Sequence, residues 1–185
     1  VSLWSQDLAF IFKGQVENSD LGKSEGGVTV SIVQGSNTVV STITASNGKY
    51  SLTGKVNYGA PFQVVFSKSG LVAKRINFEL SNMNEEDIPP GDAFRPIEAL
   101  DMTLFKEREN VDFSFLETQP VGEFDWDTRG LSMRFDQVEK NRIQTKIADL
   151  LAKADKDKSE AELKYQQAIT AADAFYSQKK YEEAL

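Results

Sequence analysis

The chain has 185 residues, with 21 Lys and Arg against 28 Asp and Glu, a net charge of -7 and 40% hydrophobic residues; no run approaches the roughly 18 to 20 apolar residues of a membrane helix. It holds neither Cys nor His, which excludes disulfides, thiolate nucleophiles, Cys or His metal sites and imidazole-based catalysis. The negative balance repels phosphate backbones and anionic lipid, so nucleic acid and membrane surfaces are disfavoured partners.

Residues 1–6 are short, apolar and end small and polar, which reads as the tail of a secretory signal with Asp7 opening the mature chain. Alternation at period two then recurs in short runs between turn residues, the pattern of half-buried strands. Phe10, Phe12, Gly14 and Val16 share one face of the first run, and Val28, Val30 and Ile32 share one face of the second. After Gln34-Gly35-Ser36-Asn37 the stretch Thr38 to Thr44 is almost wholly β-branched, completing a hairpin. Asn47-Gly48 supplies the positive φ of a tight reversal, after which Tyr50 and Leu52 point inward. Phe62, Val64 and Phe66, then Ile76, Phe78 and Leu80, then Leu100, Met102 and Leu104 mark three more strands. The expectation is a seven-stranded β-sandwich over residues 7–106. Asn82 to Pro96, with its acidic run and Pro89-Pro90-Gly91, is predicted to be a long surface loop.

Residues 107–135 are predicted to form a linker carrying a small hairpin, with Phe124 and Trp126 opposite Leu131 and Met133. All 12 Gly and all 5 Pro lie at or before Gly130, and Ala replaces them among the last fifty residues; a helical part is therefore predicted over 136–185. Ile143, Ile147, Leu150, Leu151 and Ala154 form one apolar stripe. The charged run Asp155-Lys156-Asp157-Lys158 is read as a break, and Ser159 with Glu162 as a capping box opening a second helix. The predicted class is thus a mainly β sandwich followed by an all-α helical hairpin.

Phe12-Lys13-Gly14-Gln15-Val16, Gly27-Val28-Thr29-Val30, Ser46-Asn47-Gly48-Lys49-Tyr50-Ser51-Leu52 and Ser69-Gly70-Leu71 carry a resemblance to the carboxypeptidase regulatory-like, or transthyretin-like, sandwich. Leu71 stands where that family more often has an aromatic, and the Asn82 to Pro96 insertion departs from its pattern. Ala171-Ala172, Phe175 and Tyr181-Glu182-Glu183-Ala184-Leu185 are similar to part of a tetratricopeptide repeat. One repeat cannot bury its own apolar face, so the segment is expected to continue in a longer protein or to meet a partner.

Motifs with chemical potential are weak. Gly22-Lys23-Ser24 lacks the earlier glycine of a phosphate loop, and Asp155, Asp157 and Ser159 lack the Gly and bidentate Glu of a calcium loop. Asp125 and Asp127 sit too close together for a glycosidase pair.

The resemblances imply an accessory module without catalytic residues. The expected function is a non-enzymatic exported scaffold or adaptor of the bacterial cell envelope, in the periplasm or at the cell surface in association with the outer membrane. It would dock other envelope proteins within a multi-subunit complex, with no cofactor, no metal and no membrane span of its own. The expected contacts are Asn84, Glu85, Glu86, Asp87 and Asp92 in the acidic loop and Tyr165, Ile169, Ala172, Phe175 and Tyr181 in the helical part. The alternative is a carbohydrate- or calcium-binding sandwich, using that loop or the aromatics Tyr58, Phe94 and Trp126.

Overall fold

The computed structural model describes residues 7–87, 94–97, 99–127 and 132–183. The chain is mixed α+β, a two-sheet β region followed by a helix. It divides into two compact units: one runs up to Glu107 and again from Asp112 to Gln144, and the other comprises Arg108–Val111 and the chain from Thr145 onward.

In the first unit the apolar residues of β1 (Asp7–Asn18) alternate inward, and Phe10, Phe12 and Val16 are fully buried. β1 is the spine of the smaller sheet. It pairs antiparallel with β5 (Lys49–Asn57) and β2 (Lys23–Ser24), and parallel with β8 (Phe94–Ile97) and β9 (Met102–Leu104). The larger sheet has the order β11-β10-β7-β6-β3-β4. Its strands are β3 (Thr29–Gln34), β4 (Asn37–Ile43), β6 (Phe62–Ser67), β7 (Lys74–Glu79), β10 (Gly122–Asp127) and β11 (Ser132–Phe135). Among the described residues of that sheet, only β7 and β10 pair in parallel.

An aromatic row fills the space between the sheets. Phe10 and Phe12 of β1 lie 5.1 Å from Phe62 and Phe78 respectively, Phe62 stacks on Phe78 at 4.8 Å, and Phe78 stacks on Phe124 at 4.9 Å. Phe135 continues the row 4.8 Å from Phe124. Such ring pairs add about 0.5–1.5 kcal/mol each beyond area burial, so the row ties β1 to four strands of the opposite sheet. Two glycines are required by close approach. A Cβ on Gly14 would lie 2.3 Å from the Leu100 carbonyl oxygen. Gly48, at φ 75°, brings its turn within 2.4 Å of the Val16 carbonyl oxygen by the same measure.

Over residues 7–106 nine strands stand among the described residues, not seven. The seven expected runs are β1, β3, β4, β5, β6, β7 and β9, with β2 and β8 additional; β10 and β11 fall where the small hairpin of 107–135 is expected. β8 falls in the interval expected to be loop and contains Pro96, which an edge strand tolerates because the missing donor has no neighbour to serve. The hairpin of β10 and β11 forms with Trp126 opposite Met133 and Phe124 opposite Phe135, and β10 joins the larger sheet beside β7. Leu131 lies outside the described residues.

The second unit holds most of α1 (Gln137–Glu183), a single helix of 47 residues. Asp136 caps its start: Oδ1 accepts the N–H groups of Val138 at 2.8 Å and Glu139 at 3.0 Å. The predicted break at Asp155–Lys158 and the new cap at Ser159 are corrected, since the helix runs through both and no helical hairpin forms. The physical reason is that neither Gly nor Pro interrupts the segment. The charged run suits an exposed helix surface, where Lys156 reaches Glu160 one turn on at 3.8 Å.

Candidate functional site

The described residues of the acidic loop assemble no cation site. Asn84 leads into a short 3-10 turn, Glu85–Asp87. Asp87 Oδ2 accepts the Asn84 N–H at 2.9 Å and the Trp126 indole N–H at 3.2 Å, so this carboxylate closes its own turn and anchors an aromatic. Glu86 is exposed; Asp92 and the Glu85 side chain lie outside what is described. Among the described residues no group of three or more Asp or Glu is placed to hold a metal ion. Trp126 is 2% exposed and its carbonyl accepts the Asn82 amide at 2.8 Å, so it offers no ring face to a sugar. Tyr58 is half-buried, and the Phe94 side chain lies outside the description. The calcium and carbohydrate alternatives find no support here.

On α1, every side chain from Asp155 to Lys179 is exposed. Tyr165 (65%), Ile169 (39%) and Phe175 (74%) are open to solvent, as are Leu163 and Tyr176; Ala172 is exposed, and the Tyr181 side chain is not described. Continuity of the helix gives these residues a register the hairpin reading hid. Ala154, Lys158, Ala161, Tyr165, Ala168, Ala172 and Phe175 recur at alternating steps of four and three, the spacing of a and d positions in a coiled coil, with a lysine among them and Leu163, Ile169 and Tyr176 outside them.

Among the described residues of the first unit a concave feature opens between the two sheets. It is a half-open cleft of about 540 Å³, lined by Ile76 of β7, the run Ala99–Thr103 leading into β9, Val121, Gly122 and Phe124 at β10, Phe135 of β11, and Lys140 and Gln144 on the first turns of α1. Pockets of about 300–1,000 Å³ are the usual size for small-molecule sites. The end of the aromatic row, Phe124 and Phe135, forms part of its wall with Ile76, Met102 and Val121. Gly122 makes room for that wall, because a Cβ there would lie 2.9 Å from the Phe135 ring. At the rim Ala99 holds φ 60°, in the left-handed region that a non-glycine residue adopts at a cost.

The cleft's polar side chains are Asp101, Thr103, Lys140 and Gln144. The Lys140 ammonium lies 5.4 Å from the centre of the Phe135 ring, and among the described residues no carboxylate pairs with it. Asp101 is exposed and its Oδ1 accepts the Gln15 N–H at 2.8 Å.

Beside the cleft, Lys74 takes a core position on β7 two residues before Ile76 and is 4% exposed. Its ammonium donates to the Thr103 carbonyl at 2.6 Å and lies over the Phe105 ring at 4.7 Å. Burial pushes its pKa down to about 8. On the outer face of the larger sheet, Glu123 is raised above the usual carboxylate range, chiefly by burial and then by its neighbours Asp125, Glu79 and Asp136, against a lowering hydrogen bond from Asn77.

Sequence reasoning singled out none of the residues that meet at the cleft as a site. They come from five elements spread from Ile76 to Gln144, and Lys140 reads in isolation as one more solvated helix charge.

No family model matches the sequence, and no curated protein matches it. In structure the chain is similar to 3-chlorocatechol 1,2-dioxygenase from Rhodococcus opacus 1CP, with 14% identity and a TM-score of 0.38 over 58% of this chain and 64% of that one. Catechol 1,2-dioxygenase from Pseudomonas arvilla C-1 gives 14% identity and a TM-score of 0.37 over 56% and 54%. The dioxygenase domain of a dioxygenase carbohydrate-binding protein fusion from Streptomyces sp. SirexAA-E gives 14% and 0.36 over 58% and 86%. The chain spans less than two thirds of the length of the first two. The expectations of a non-enzymatic envelope scaffold and of a protein that is no enzyme are withdrawn on this finding, because the solved structures it is similar to are enzymes. At TM-scores below 0.5, no dioxygenase activity follows for this chain.

Proposed function

We propose that the chain binds a small, mainly apolar molecule in the cleft between its sheets. The observation that supports this reading is the make-up of that cleft: an apolar part formed by Ile76, Met102, Val121, Phe124 and Phe135, a polar part of nearly equal extent, and one ammonium without a carboxylate partner among the described residues. The left-handed backbone of Ala99 at the rim agrees with it, since such costs concentrate at functional sites. Titration with the neutral fluorophore N-phenyl-1-naphthylamine tests it. The expected result is a saturable one-site enhancement that Gln144→Trp, an exposed position at the cleft mouth, abolishes. Enhancement that never saturates, or that the variant leaves unchanged, rejects the reading.

A second reading concerns partners. The heptad spacing of the exposed positions from Lys158 to Phe175 favours pairing of α1 with another helix, within the kind of multi-subunit complex expected from the sequence. Sedimentation equilibrium of the chain and of Phe175→Glu, alone and with candidate helical partners, tests it. An assembled species that the variant dissociates supports this reading, and a variant that assembles as the parent does rejects it.

A further inference from the structure

We propose that the ligand of the cleft is a monocarboxylate with a compact apolar body, its carboxylate held by the Lys140 ammonium. This rests on the ligand-binding reading of the cleft. Ile76, Met102, Val121, Phe124 and Phe135 form the apolar part of the wall, which suits an aliphatic or aromatic body, and the polar part, with Asp101, Thr103, Lys140 and Gln144, suits a polar end. The ammonium of Lys140 stands at the cleft 5.4 Å from the Phe135 ring, and among the described residues it has no acidic partner. An ammonium beside an apolar wall gains from a carboxylate that accepts its protons in a partly dry setting, because charge-assisted hydrogen bonds are the strong ones.

Charge arithmetic restricts the anion to one negative charge. Among the described residues Lys140 is the one cationic side chain lining the cleft, Asp101 lines it too, and the chain as a whole carries -7. A phosphate monoester or a dicarboxylate would bring a second charge with no cation to receive it. Gln144, one turn beyond Lys140, adds an amide able to donate to the second carboxylate oxygen.

Isothermal titration of the full chain with 3-phenylpropionate and with its neutral counterpart 3-phenylpropanol tests the proposal, in the parent, Lys140→Met and Gln144→Trp. The acid is expected to bind saturably and about tenfold or more tighter than the alcohol. Lys140→Met is expected to erase that preference while the alcohol still binds, and added salt to weaken the acid alone. Equal affinities for acid and alcohol in the parent, both lost in Gln144→Trp, overturn the carboxylate assignment and leave the cleft reading standing. Absence of binding by either probe, or binding untouched by Gln144→Trp, overturns both.

Discussion

Lys74 occupies a place on β7 whose neighbours on the same face, Ile76 and Phe78, are buried and apolar. Its native pKa of about 8 lies below the ordinary 10.5, so between those values the unfolded chain binds more protons and stability rises with pH. Below about pH 8 the desolvation cost of the charged form is present in full, on the order of 3 kcal/mol. Lys74→Met is therefore expected to be at least as stable as the parent at pH 7, with the gap closing by pH 10. Urea unfolding at a series of pH values checks it, and a constant gap would mean that the residue acts only through its bond to Thr103. Gly14→Ala is expected to behave oppositely. The new Cβ meets the Leu100 carbonyl, which also accepts the Tyr50 hydroxyl at 2.7 Å, so the urea midpoint should fall by the equivalent of about 3 kcal/mol.

Among the elements, α1 has the sharpest expectation. Isolated helices owe their stability to length, propensity and local ion pairs when no core covers them, and from Asp155 to Lys179 all side chains are exposed. Lys158→Pro removes a backbone donor within the helix and clashes with the preceding turn. Ellipticity at 222 nm should drop while the thermal transition of the β region stays in place. In a hairpin, position 158 would be a turn and the substitution nearly silent, so the measurement separates the two arrangements. The strands were more legible than the helix. Alternation located β1, β3, β5, β6, β7 and β9 because one face of each is buried, β4 showed through its β-branched run although it buries no residue, and β8 escaped because Pro96 reads as a loop residue until the β1 edge is known.

For the molecule as a whole, the buried apolar residues run from Leu8 to Ile147, and the helix beyond them adds none among the described residues. A chain cut after Leu151 is expected to keep one cooperative unfolding transition within a few degrees of the parent, by calorimetry. Loss of that transition would show that the β region depends on the remainder of α1.

Local chemistry settled most of the chain in advance: period-two burial for the strands, glycine at the reversals, and an alanine-rich, glycine-free stretch that had to be helical. Its charged run was misread as a turn because charge marks solvent, not the direction of the backbone. The parallel pairings of β1 with β8 and β9 and of β7 with β10 join residues distant in sequence, and no local pattern encodes such partners. The cleft depends on those pairings, since they bring Met102, Phe124 and Phe135 to one opening with Lys140. Only the tertiary structure could decide that a lysine of ordinary appearance would stand beside an aromatic wall with no carboxylate paired to it among the described residues.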